Sequence, residues 1–585
     1  MSRPDEFNGQ VQRLFSVAVL GGLFLTLPAS ALDLLLTNGK VYTVNSAQPW
    51  VEAIGVEDGS IRFLGNSEQA QALFDQAERV IDLNGHLVLP GLHDVHMHPL
   101  EAGNPAAAAC SLRIGMNPER EIGNLRRCAK YQLGAGWASD WVLGWGYSIF
   151  DVLSTDRPPV EILDQAIPDK PALMMDFTSH SMWANSLALQ AAGIDEHTKN
   201  PAGGVIVKDL ETGQPNGILV DNVGNMVMEY AFAPTEKGLN LAYQGVLKML
   251  PRLASNGLTS IVDARSYWTR KHHEVWQKLA DENRLTARVV LSLWAYPDKD
   301  ESQIEILKKL YRNDPDSLLR MSQIKVYMDG VVDNTTAAMK TPYLEDLGWV
   351  VGNRGLNYFD EARLTRYIEE LESAGFDFNI HAIGDRAVHE ALNAIESADR
   401  INGQIDGEAN GENKDRRHRL THLEIVDDID IPRFKALNVI ADFQVAGDGS
   451  FPEVYSEAET LIGEKAHNPI PIRSIHDSGA VVTLSSDFDV STMNPFVAMQ
   501  HALTRGAESL ETLSDVIEAY TINGAYLMRH EDKTGSIELG KFADLVVVDQ
   551  NLFEISVESI SDTKVLLTLL AGKEVYRSPE FPGFQ

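Results

Sequence analysis

The 585 residues contain 44% hydrophobic and 23% charged side chains, an ordinary globular mixture with length enough for one large core and a smaller companion. Aspartate and glutamate number 83 against 50 lysine and arginine, a formal charge of −33. That balance argues against nucleic acid as a partner, since phosphates are neutralised by basic patches, and it reads as a solvated acidic surface.

The chain opens with an apolar run, Leu14 to Leu27, preceded by Arg13 and followed by Pro28 and Ala29-Ser30-Ala31. This pattern resembles a signal peptide cleaved after Ala31 and predicts a periplasmic or secreted protein. Asp5 and Glu6 offset Arg3 and Arg13, so an uncleaved anchor is the alternative. The run is short for a membrane span, and no stable membrane insertion is expected once it is removed. No cysteine follows the cleavage site; the chain has two, Cys110 and Cys128. Export favours a disulfide between them, with separate thiols or a sulfur ligand to a metal as alternatives.

Leu34 to Val44 reads as two short strands forming a hairpin around Asn38-Gly39. Val51–Val56, Ile61–Leu64 and Val80–Leu83 continue this small β unit, with Asp58-Gly59, Gly65-Asn66 and Asn84-Gly85 as turns. Strand and turn chemistry returns at Gly535–Asp549 and Val565–Tyr576, which predicts one small domain assembled from 32–86 and 531–585.

Between them, 87–530 opens with LVLPGLHDVHMHP, which delivers His93, His96 and His98 within six residues. In a strand, residues two apart share a face, so His96 and His98 can aim at one metal. His93 is open between a ligand and a buried, hydrogen-bonded ring. Eight strands alternate with amphipathic helices such as Leu364–Ala374 and Asp385–Ala398: Leu92–His98, Leu258–Ala264, Ala287–Trp294, Gln323–Met328, Phe376–Ala382, Arg419–Glu424, Val439–Gln444 and Val481–Asp487. That is the pattern of an α/β protein with a (β/α)₈ TIM-like barrel. The long gap after the first strand requires an insertion at about 105–230. Trp137, Trp141, Trp145 and Tyr147 there are either a substrate cover or the insertion's own core; His180, between two serines, favours substrate contact. Asn402 to Lys414 reads as a solvated loop.

The strand ends carry His96 and His98, Lys325, His381, His422 and Asp487. Barrel enzymes gather catalytic groups at that face. Four histidines, a lysine and an aspartate would be costly to desolvate together without a metal or charge partners. For Lys325 the alternative is an ion pair with Asp329.

The segments PGLHDVHMH, SHSMWANS with the glycines ending at Gly204, KVYMDG, HAIGDRAV, RLTHLEI, SSDF, YTINGA and GSIELGKFADLVVVD together resemble the amidohydrolase superfamily. Within it they are similar to the YtcJ-like (amidohydrolase type 3) branch, related to N-substituted formamide deformylases. The resemblance implies a (β/α)₈ barrel with a small β-sandwich from both termini, and two zinc-type divalent ions. By it, His96, His98 and Asp487 hold the first ion, His381 and His422 the second, and Lys325, carbamylated, bridges them. Three departures bear on the substrate: Thr421 before His422, the run Val331–Ala337 after the Asp-Gly pair, and Ser486 before Asp487.

The reaction so implied is metal-assisted hydrolysis of a non-peptide C–N bond in a small amide-like molecule, with metal-activated hydroxide as nucleophile. Asp487 is the candidate base, and His422 and His180 are assigned to catalysis with it. His180, Asp329, Asp385 and Arg386 are candidate substrate contacts, although Asp385 and Arg386 also suit the start of a helix. A mononuclear deaminase or cyclic amidase, and a non-catalytic exported binding or regulatory protein, are the rival readings. A homodimer is left open.

Overall fold

The computed structural model describes residues 32–104, 110–134, 140–350, 352–405, 415–447 and 450–581. The leader read at 1–31, Trp137 and most of the polar stretch ending at Lys414 lie outside the described residues. The first part of that stretch is not loop: the helix Asp385–Ile405 runs through it, and Asn402 Nδ2 donates to Glu372 Oε2 at 3.1 Å.

Eight strands make the barrel: β1 Leu92–Met97, β2 Leu258–Ser266, β3 Arg288–Trp294, β4 Leu319–Tyr327, β5 Asp377–Ala382, β6 Arg419–His422, β7 Ile440–Gln444 and β8 Val482–Ser485. They lie in sequence order and every neighbouring pair is parallel. The ring closes at its rim, where Asp487 N donates to His96 O at 2.8 Å and His98 N to Phe488 O at 2.6 Å. Helices such as Glu236–Ser255, Glu361–Glu372 and Asp385–Ile405 cover the outside, as the eightfold βα pattern requires. All eight predicted strands exist. β6 and β8 stop short of the predicted ends because His422, Leu423 and Asp487 take left-handed backbone, φ 78°, 52° and 51°. Non-glycine residues adopt that conformation at a cost of about 1–2 kcal/mol each, and here it turns the chain at two candidate ligands, His422 at the last residue of β6 and Asp487 just beyond β8.

Two smaller sheets draw strands from both ends of the chain. One is built in the order Ser60–Gly65, Ala53–Glu57, Leu34–Thr37, Val80–Asp82. The other runs Lys573–Arg577, Val565–Leu570, Leu545–Val548, Leu87–Pro90, Lys40–Tyr42, Trp50–Val51. Leu36, Val41, Ile54, Val88, Val547 and Leu567 share one core between them. The hairpin predicted at Asn38-Gly39 does not form. Leu34–Thr37 and Lys40–Tyr42 belong to different sheets, and the turn carries the chain across the sandwich. Gly39 makes that crossing because a Cβ there would sit 2.4 Å from Leu83 Cδ1. Leu87–Pro90 then passes through Gly91 straight into β1, where a Cβ would stand 2.1 Å from Thr259 Oγ1. The sandwich is tied to the barrel by Arg288, which donates to Asp544 through Nε at 2.7 Å and Nη2 at 3.2 Å.

The long connection after β1 has its own six-stranded sheet, in the order Gly204–Lys208, Pro215–Asp221, Ser181–Ala184, Ala172–Asp176, Val142–Tyr147, Cys110–Ser111. Trp141, Tyr147 and Trp183 are buried in its two cores, so the aromatic density is structural there, while Trp145 is exposed. Cys110 and Cys128 are joined in a disulfide. Among the described residues no helix is long and apolar enough to cross a membrane.

Candidate metal centre

The alternation of β1 sends His96 and His98 to the barrel mouth, and their ring centroids are 5.5 Å apart. The row continues around the mouth: His96 to His422 at 5.1 Å, His422 to His381 at 4.4 Å, and His381 to His180 at 5.5 Å. Asp487 Oδ1 lies 2.9 Å from His98 Nε2 and 3.4 Å from His96 Nε2. Lys325, fully buried at the end of β4, brings Nζ to 3.2 Å from His96 Nε2. Six residues from β1, β4, β5, β6 and the turn after β8 thus meet at one place. Ligand atoms of His96, His422 and Asp487 all lie within 4.8 Å of one another.

These groups fit a divalent cation on their protonation and on their missing partners. Burial pushes His96 and His381 well below the ordinary histidine value, and their charged and imidazole neighbours push the same way. Burial also brings His422 down to about 3 against the pull of Asp487. For Lys325, burial drives the amine well below the lysine range, Asp487 opposing. Burial would raise Asp487, but the hydrogen bond and charge of His98, with His422 and Lys325, hold its carboxyl below the usual range. Neutral imidazoles, a neutral amine and a carboxylate are the forms that bind a metal. His381 Nδ1 is buried with no hydrogen-bond partner, a cost that a metal would remove.

Over the centre lies a cavity of about 750 Å³, bordered by His98, His180, His381, His422 and Asp487 and walled by apolar side chains including Phe177, Phe232 and Ile383. The insertion contributes His180, whose Nδ1 is 2.6 Å from Asp221 Oδ1; Tyr358 donates its hydroxyl to the same oxygen at 2.7 Å. With Nδ1 engaged, Nε2 is the ring nitrogen left for the cavity. Tyr327 stacks on His381 at 4.2 Å and receives a hydrogen bond from Arg265 Nη1 at 3.1 Å. Arg265 in turn faces Glu101, whose Oε2 is 3.5 Å from His98 Nδ1.

Three sequence expectations need correction. Asp329 does not border the cavity and forms no ion pair with Lys325. It is buried and accepts from the backbone N–H groups of Ala338, Ile383 and Gly384 at 2.8, 3.0 and 2.8 Å, anchoring the loops after β4 and β5. Asp385 and Arg386 are also absent from the cavity wall. Asp385 starts a helix and pairs with Lys465; Arg386 binds Asn357 and the carbonyl of Arg354. Of the two roles left open for His93, the structure shows the buried, hydrogen-bonded ring, between the Gly91 carbonyl at 3.1 Å and Thr534 Oγ1 at 3.3 Å. Asp221, Tyr358, Glu101 and Arg265 were missed by sequence reasoning. Glu101 could have been found three residues beyond His98 at the start of a helix; Asp221 had no local signal.

The amidohydrolase family model matches residues 79–576. The chain is 26% identical over 556 residues to YtcJ of Bacillus subtilis (strain 168), covering 92% of this chain and 98% of that protein. It is 26% identical over 566 residues to the N-substituted formamide deformylase of Arthrobacter pascens, covering 92% and 97%. Among solved structures, an uncharacterized metal-dependent hydrolase from Pyrococcus horikoshii OT3 shares the fold with a TM-score of 0.67 at 20% identity, over 90% of this chain and 99% of that one. The chain belongs to the amidohydrolase family.

Proposed function

We propose that the protein is an exported hydrolase of a non-peptide C–N bond in a small amide, an N-acyl or N-formyl amine being the leading class. The observation that carries this is the meeting of His96, His422 and Asp487 within 4.8 Å beneath a mostly apolar cavity of about 750 Å³. That volume accepts a ligand of ordinary small-molecule size. Similarity to an N-substituted formamide deformylase supports the bond type. Export is supported by the leader pattern ending at Ala31 and by the Cys110–Cys128 disulfide.

His96, His98 and Asp487 would hold one ion and His381 and His422 a second, zinc suiting the nitrogen and oxygen donors. Lys325 would bridge them as a carbamate: its neutral amine adds CO₂, forming the N–C bond and releasing one proton. When bound, the metal supplies Lewis acidity toward water and the scissile carbonyl. Asp487 takes the proton from the attacking water and returns it to the departing nitrogen, so the amine leaves neutral. His180 in its doubly protonated form, with Nδ1–H held by Asp221, would donate Nε2–H to the carbonyl oxygen as negative charge grows there. The apolar walls exclude water from the acyl and amine substituents.

Elemental analysis of the full chain purified without chelator, with hydrolysis assays on a panel of formamides, acetamides and cyclic amides, tests this. About two divalent ions per chain and amine release are expected. One ion would remove the Lys325 bridge. Absence of metal after reconstitution, or full turnover by Asp487→Asn, would overturn the reading.

A further inference from the structure

Below the histidines the barrel core is polar, and one chain of hydrogen bonds ends on a ring of the candidate centre. His96 Nδ1 lies 2.9 Å from Thr421 Oγ1, and Thr421 Oγ1 lies 3.1 Å from Asp442 Oδ2. All three residues are fully buried. Strand register builds this layer: Thr421 on β6 stands opposite Asp442 on β7, and Asp442 stands opposite Thr483 on β8. Asp442 also accepts from Thr483 Oγ1 at 2.9 Å, Ser485 Oγ at 3.0 Å and Gln444 Nε2 at 3.0 Å.

The Thr421 hydroxyl has one proton to give. A carboxylate is the stronger acceptor, so the proton goes to Asp442. The hydroxyl lone pairs then face Gln444 Nε2, at 2.9 Å, and His96 Nδ1. His96 must therefore carry its proton on Nδ1, and the lone pair falls on Nε2. That nitrogen is the one facing Lys325 Nζ at 3.2 Å and Asp487 Oδ1 at 3.4 Å.

We propose that Thr421 is a positioning residue: it relays Asp442 to His96, fixing the Nδ1–H tautomer and presenting Nε2 to the metal. This rests on the reading of His96 as a ligand. Asp442 cannot replace the relay directly, since its Oδ2 is 3.7 Å from His96 Nδ1. Partners of this kind fix the tautomer and orientation of a ligating ring and raise its basicity.

The test is competition of the metal-stripped full chain with a chromophoric chelator for Zn²⁺, using wild type, Thr421→Val and Thr421→Ser. Valine keeps the shape and removes the acceptor; it is expected to weaken zinc binding by about 10–100-fold, with serine restoring it to within about threefold of wild type. Nitrogen-15 spectra of histidine-labelled protein are expected to show His96 as the Nδ1–H tautomer in wild type and serine, and a mixture in valine. Valine binding as tightly as wild type, serine binding as weakly as valine, or an Nε2–H tautomer in wild type would overturn the relay. If wild type takes up no zinc at all, the metal-centre reading falls and the relay falls with it, a result distinct from the other three.

Discussion

The pairing of His180 with Asp221 gives a prediction whose size can be worked from the structure. Asp221 is 2% exposed, its Oδ1 accepting from His180 Nδ1 at 2.6 Å and from Tyr358 at 2.7 Å while Oδ2 is buried without a partner. Asp221→Asn keeps the shape and one acceptor oxygen but removes the charge. A hydrogen bond to a charged group is worth about 1.5–3 kcal/mol against about 0.5–1.5 for a neutral one. The loss of about 1–1.5 kcal/mol corresponds to about 5–12-fold in kcat/KM. His180→Ala removes the group that faces the carbonyl oxygen and is expected to cost about 10²–10³-fold, mostly in kcat. Because Asp221 acts only through His180, Asp221→Asn should cost almost nothing further in the His180→Ala background. Steady-state kinetics on the best amide of the panel, with metal content measured for each variant, reads all four corners of the cycle. Asp221→Asn costing the same in both backgrounds, or His180→Ala keeping wild-type kcat, would refute the reasoning.

Removing one partner of a buried ion pair strands the other. Arg288 and Asp544 are 9% and 2% exposed in their side chains and join barrel to sandwich, so Asp544→Ala should lower stability in denaturant titration by about 3–5 kcal/mol. A loss under about 1 kcal/mol would contradict this. Glu372 supplies a pH test. Burial would raise its carboxyl, but His418, whose Nε2 stands 3.7 Å away, and the Arg416 guanidinium, which donates to Glu372 Oε1, prevail and hold it at about 2. Because the folded value lies below the unfolded one, the contribution is full above about pH 4.5 and is lost as pH falls toward about 2. It should be worth about 3 kcal/mol at neutral pH. The stability gap between wild type and Glu372→Gln should therefore narrow between pH 5 and 3; a gap constant over that range would refute the assignment.

Much of the barrel is local in origin. Alternation of apolar residues marks strands, 3.6-residue periodicity marks the helices between them, and both are properties of ten or twenty consecutive residues. The pair His96 and His98 belongs to the same class, since a strand places residues two apart on one face whatever surrounds it. Lys325, His381, His422 and Asp487 were legible because strand ends in a closed barrel are neighbours by construction. The failures were also local. Asn38-Gly39 turns the chain but cannot say which sheet receives the next strand. Asp385 and Arg386, in the motif after His381, sit at a helix start and are taken up by Lys465 and Asn357.

What the tertiary structure alone decided is the set of partners that give the ligands their character. Thr421 and His96 are 325 residues apart in sequence, Asp221 and Tyr358 are 137 apart, and Arg265 and Glu101 are 164 apart. None of these residues is unusual in its own segment. Hydrogen bonds of 2.7 to 3.4 Å such as these depend on the register of neighbouring strands and on how the insertion lies over the barrel mouth. The residues that could bind a metal can be read along the chain; which nitrogen each presents, and which carboxylate steadies it, is set by contacts that exist only once the barrel has closed.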